Sequence, residues 1–152
     1  MFSYRNLGLN RVELRVNSVN GNGLSYELDA KGVNFSDSLR ILSNIVQSDE
    51  EVNLSINKLN GVLREKSELY CYYSKGNRSA YEAIKNALNG EDISKFRSIL
   101  VQFLAKKDTT IYEIADALEN TVLLNLNQDT DIVFASNLSS TDDYGVVVLG
   151  AR

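Results

Sequence analysis

From Arg11 to Val16, apolar Val12, Leu14 and Val16 alternate with charged Arg11, Glu13 and Arg15. A period of two puts the apolar set on one face of a half-buried strand. Leu24, Tyr26 and Leu28 repeat the pattern after Asn20-Gly21-Asn22-Gly23, residues that tolerate positive φ and favour a tight turn. The first thirty residues therefore predict one β-hairpin, with Phe2 and Tyr4 docking the N-terminus on the domain. The period then changes. Phe35, Leu39, Leu42 and Val46 form one helical stripe, with Asn34 or Ser36 as its N-cap. Ser48-Asp49-Glu50-Glu51 has capping-box form and restarts a helix along Val52, Ile56, Leu59 and Leu63, weakened by Gly61.

Beyond this the rhythm is strand and helix in turn. Ser67 to Ser74 reads as an interior strand, its tyrosines filling core. Ser79 and Glu82 form a capping box for a helix that buries Tyr81, Ile84 and Leu88 and ends at Asn89-Gly90. Phe96 to Ala105 is a covered strand. Thr110 and Glu113 cap a helix that buries Ile111, Ile114, Leu118 and Val122. Two apolar strands follow, separated by a polar loop from Leu138 to Tyr144. The prediction is an α/β (α+β) fold in a single domain, 1–152. Its first part, 1–66, is a hairpin with one or two helices. Its second, 67–152, belongs to a two-layer sandwich in which a mixed sheet of about four strands carries helices, with right-handed crossovers where strands run parallel.

Composition narrows the chemistry. A chain of 152 residues with 43% hydrophobic content suits one core. A net charge of -4 without clustered Lys or Arg argues against nucleic acid. Histidine is absent, so Ser-His-Asp and Cys-His machinery is excluded. The single cysteine, Cys71, lies in an apolar run and reads as a buried thiol. No leader or bilayer-length apolar run is visible, so a cytoplasmic protein with no membrane contact is expected. No glycine-rich phosphate cradle stands between a strand and a helix. Asp129, Asp131, Asp142 and Asp143 read as solvated loop acids. Glu50, Glu51, Asp116 and Glu119 read as exposed helical charges. No catalytic residue, cofactor or metal is expected.

Gly76-Asn77-Arg78-Ser79-Ala80-Tyr81-Glu82-Ala83 resembles the G-x-N-R-A-x-E-A helix start of the FtsZ/tubulin family's C-terminal domain. Asp108-Thr109-Thr110 resembles the loop that ends in Asp-Leu-Thr before that domain's next helix. The segment from Asp129 to Arg152 is similar to its last two strands. The resemblance runs from about Ser74 to Arg152. Fainter, Asn34-Phe35-Ser36-Asp37 is similar to the synergy loop N-x-D-F-x-D, whose acids reach a neighbouring subunit's nucleotide. Asp37 answers to the second acid, Asn34 replaces the first, and Gly32 stands where the loop has Asn. No stretch of the sequence carries the GTPase domain's glycine-rich signature, about twenty extra residues precede Ser67, and no tail past Arg152 is expected.

The resemblance implies a non-enzymatic protein-interaction domain, a homo-oligomer or a module docking on a filament-forming or GTPase partner, with Asn34 and Asp37 as interaction residues. Two alternatives stand beside it. One is a small-molecule-binding oligomer of chorismate-mutase-like shape, with Arg11, Arg15, Arg78 and Tyr70 as a carboxylate clamp. The other is an acidic cytosolic chaperone or inhibitor acting through an exposed strand.

Overall fold

A computed structural model describes residues 2–8, 10–17, 23–31, 35–47, 56–139 and 143–152. In chain order the elements are β1 (Phe2–Gly8), β2 (Arg11–Asn17), β3 (Gly23–Lys31), α1 (Phe35–Gln47), α2 (Ile56–Leu63), β4 (Glu68–Asn77), α3 (Ala80–Leu88), β5 (Ser98–Lys106), α4 (Ile111–Glu119), α5 (Val122–Asn125), β6 (Asp131–Ser139) and β7 (Tyr144–Ala151). The strands form one seven-stranded sheet in the order β1-β2-β3-β4-β7-β5-β6. β3 pairs parallel with β4 and β5 with β6; the other neighbours are antiparallel. The α/β class is as the periodicity predicts. The turn at 20–22, Asn34, and the capping box at 48–51 lie outside the described residues.

The sheet is wider than predicted because the opening segment is a three-stranded meander. Phe2 is fully buried and Tyr4 packs on the core, so both belong to a strand, β1. Its reversal into β2 uses positive φ at Gly8 (90°) and Asn10 (65°), and Asn6 Oδ1 accepts from Gly8 N at 2.8 Å. That turn hides the strand in the sequence, because Leu7-Gly8-Leu9 breaks the alternation.

Two apolar clusters form, one on each face. Leu39 and Leu42 of α1 and Leu59, Val62 and Leu63 of α2 pack over Leu69, Cys71, Leu100, Val147 and Leu149. On the opposite face, Ala83, Ile84, Ile114 and Leu118 of α3 and α4 cover Tyr72, Ile99, Val101, Phe103, Val146 and Val148. The central strands are thus apolar on both sides, and every residue of β7 is buried. The helices divide between two faces, so the central sheet is the middle of three layers. From β3 to β4 over α1 and α2, and from β5 to β6 over α4, the chain steps the same way between equally directed strands but over opposite faces. The two crossovers therefore have opposite hands, and uniformly right-handed connections do not hold. The right-handed preference comes from a twisted strand feeding a single packed helix; the β3–β4 connection carries two helices and is long enough to wrap either way.

Ile84 and Leu88 line the buried side of α3, but Tyr81 is exposed, and Ala80, Ala83 and Ala87 complete the stripe. Three alanines bring the helix axis close to the sheet, leaving no depth for a ring.

Candidate interaction site

The C-terminal ends of β4 and β5 and the start of β7 meet at one end of the sheet, through the pairs Asn77↔Tyr144 and Leu104↔Gly145. The helices α3 and α4 begin there. Most of Gly76 to Ala83 is committed to building this end. Gly76 has φ of 71°, which favours glycine, at the irregularity between Ser74 and Asn77. Asn77 is buried. Its Nδ2 donates to the Tyr144 carbonyl at 3.1 Å and to Ser74 Oγ at 3.0 Å, and its Oδ1 accepts from Asn86 Nδ2 at 2.7 Å. Ser79 Oγ accepts from Glu82 N at 3.1 Å, and Glu82 Oε2 accepts from Arg78 N at 3.3 Å, satisfying donors that a helix start leaves open.

Arg78 and Tyr81 are left over, both exposed, and Arg78 makes no ion pair among the described residues. They line an open cleft of about 350 Å³ with Glu113, Asp116 and Tyr144. The Tyr144 hydroxyl donates to Glu113 Oε2 at 3.3 Å and accepts from Thr109 Oγ1 at 3.2 Å. This cleft offers a cation facing two carboxylates, without a nucleophile beside a base.

Asp37 lies in the first turn of α1, where a carboxylate complements the helix dipole. Arg40 Nη2 sits 3.1 Å from Asp37 Oδ1, an exposed pair of small energetic value. The start of α1 faces Tyr73, whose hydroxyl pKa is raised: burial is the main cause, the carboxylates of Asp37 and Asp143 add to it, and Arg40 opposes. Because Asp143 adjoins Tyr144, the starts of α1 and α4 belong to the same end of the molecule.

At the start of α4, Ile111 and Tyr112 are 69% and 79% exposed. Ile111 was expected in the buried stripe. The buried side of α4 is instead held by Ile114, Ala117 and Leu118, and Ile111, at the first helical position after the Thr110 cap, stands clear of the core. Tyr112 and the exposed Phe134 of β6 were missed as surface residues. One signal was available: Tyr112 falls outside the Ile111, Ile114 and Leu118 stripe of α4.

Within one chain the proposed carboxylate clamp is not assembled. Arg11 pairs with Asp29 (3.1 Å) and Glu27 (3.5 Å), and Arg15 with Glu13 (3.4 Å). Tyr70 packs at a tilt against Phe96, beneath Lys95, near the start of β4. Arg78 follows the other end of that strand, about 25 Å away at the usual rise per residue. Cys71 is fully buried, which pushes its thiol pKa far up and leaves it inert. Among the described residues no three His, Cys, Asp or Glu side chains group to hold a metal, and no helix is long and apolar enough to cross a membrane.

No protein-family profile matches the sequence, and neither does any curated protein. Solved structures do share the fold. An FtsZ dimer from M. jannaschii aligns with a TM-score of 0.64 at 17% identity, over 76% of this chain and 36% of that one. CetZ from Methanosaeta thermophila gives 0.59 at 13%, over 76% and 35%. TubZ of Bacillus thuringiensis serovar israelensis, in GDP-form protofilaments, gives 0.54 at 9%, over 76% and 34%. The chain thus has the fold of part of an FtsZ/tubulin-like protein and spans little more than a third of these proteins.

Proposed function

We propose that this chain is a non-enzymatic assembly domain, similar to the C-terminal half of FtsZ and tubulin, that associates with copies of itself through the sheet end bearing Asp37, Ile111 and Tyr112. The observation that carries the reading is the Ile111–Tyr112 pair. Two adjacent large side chains stand open to solvent at the end of a rigid sheet, and exposed aromatic anchors are what protein interfaces enclose. The fold likeness supports it, since the similar FtsZ and TubZ structures are a dimer and protofilaments. Contact between this end and a different surface of the next copy is heterologous and builds a polar array. The same end docking on a filament-forming or GTPase partner is the variant of this reading. Asp37, exposed in the first turn of α1, is then the carboxylate offered to that neighbour. The role needs no cofactor, nucleic acid or membrane, and a cytoplasmic setting suits the reduced Cys71.

Sedimentation velocity over rising concentration tests it, together with light scattering of polymerising FtsZ in the presence of the chain. Self-association or altered polymerisation is expected, weakened about tenfold by Tyr112→Asp through loss of one buried anchor, with thermal unfolding unchanged. A chain that stays monomeric and leaves polymerisation untouched defeats the reading.

A further inference from the structure

The cleft between α3 and α4, about 350 Å³, is lined by neither Ile111 nor Tyr112. Its charged lining is Arg78 at the start of α3 with Glu113 and Asp116 of α4. Opposite charges share this small space without meeting. Among the described residues the side chains of Arg78 and Asp116 make neither a hydrogen bond nor an ion pair; only their main chains are engaged, Arg78 N with Glu82 and the Asp116 carbonyl with Asn120. The neighbouring charges are occupied. Glu82 accepts from that Arg78 N–H, Lys85 Nζ lies 6.0 Å from the Tyr81 ring centroid, and Lys106 Nζ 5.6 Å from that of Tyr144.

The base of the cleft is built in advance. Tyr144 is 8% exposed, and its hydroxyl donates to Glu113 Oε2 while accepting from the buried Thr109, so one carboxylate is held in place. The buried Ala80 and Ala117 keep the space between the helices open, where longer side chains would fill it. Tyr81 adds an exposed aromatic wall.

This pattern selects by charge. A purely anionic ligand drawn to Arg78 meets two carboxylates, and a purely cationic one meets Arg78. A ligand carrying one charge of each sign satisfies both sides. Arg takes a carboxylate through two parallel hydrogen bonds, and the volume lies at the small end for ligand sites. We propose that the α3–α4 cleft binds a free α-amino acid with an aromatic or large apolar side chain. Its carboxylate rests on Arg78, its ammonium on Asp116 and Glu113, and its side chain on Tyr81.

The probes are L-phenylalanine and two analogues that each lack one charge, phenethylamine and hydrocinnamate. Titrated into the isotope-labelled full chain, phenylalanine is expected to shift the resonances of Arg78 to Tyr81 and Glu113 to Asn120. A Kd of about 1 mM is expected from exposed ion pairs and so few ligand atoms, and binding should weaken with salt. Each analogue should bind about tenfold more weakly, for want of one charge-assisted contact. Arg78→Gln should weaken phenylalanine about tenfold and leave phenethylamine no weaker. Asp116→Asn should weaken phenylalanine and phenethylamine and leave hydrocinnamate no weaker. A structural role for either residue would not produce that crossed pattern. Both side chains are exposed, so the thermal midpoint should stay unchanged in both variants. Self-association is read by sedimentation, and either result there leaves these outcomes standing. Absence of shifts in the cleft at concentrations well above the expected Kd, an analogue that binds as tightly as phenylalanine, or variants that weaken all three probes alike each overturns the proposal.

Discussion

Gly150 shows how one position can be fixed by a distant ring. A Cβ built there falls 2.3 Å from the Phe96 ring, itself buried and packed at 5.1 Å from Tyr70 and 6.4 Å from Tyr72 between centroids. Space, not backbone conformation, demands glycine. Gly150→Ala should cost about 2–3 kcal/mol in urea unfolding, as overpacking does. Adding Phe96→Leu should restore part of that loss, a non-additivity expected of touching residues. From the sequence, residues 145–151 read correctly as an apolar strand, but nothing local marks Gly150 as the socket for Phe96. Asn77 is similar: its place before a helix is legible, whereas its bonds to Tyr144 and Asn86 depend on a strand still to come.

At the scale of elements, the caps were legible because they are local. α3 and α4 begin at Ser79 and Thr110, whose side chains accept from Glu82 N and Glu113 N. Ser79→Ala and Thr110→Ala should each cost about 1 kcal/mol, read as a lowered thermal midpoint. Which sheet face a helix covers was not legible. A stripe such as Leu39–Leu42 announces burial without saying against what, so the division of helices between two faces was missed. Burial was likewise over-assigned to Tyr81 and Ile111, since periodicity does not reveal where a helix runs past the sheet. The candidate interaction surface was hidden for that reason: Ile111 was placed in a buried stripe and Phe134 in an apolar strand. Asp37 was reached only by resemblance, and it stands exposed in the first turn of α1.

For the whole molecule, burial of phenols sets an alkaline limit. Burial, with Glu91 next, raises the Tyr72 hydroxyl well above the ordinary tyrosine pKa, and burial raises Tyr26 against the opposing Arg64. Unfolded tyrosines ionise near pH 10, so the native state keeps protons that the unfolded chain releases. This contribution is complete below about pH 10 and drains away as pH rises through the higher native values. The thermal midpoint should therefore fall above about pH 10, with tyrosinate absorbance from the buried phenols appearing together with unfolding and not before it. Early ionisation of every tyrosine in the still-folded protein contradicts this.

The strand order also bears on how the protein comes off the ribosome. β7 is the last described strand in the chain, yet it lies between β4 and β5 and bridges them. Before residues 144–151 emerge, β1–β4 and β5–β6 are two separate ribbons, each with a newly made apolar edge awaiting the same partner. Closure joins segments distant in sequence, which slows folding, and the waiting edges invite pairing between nascent chains. Holding those ribbons apart until synthesis reaches β7 is a task for a chaperone, set by the topology itself.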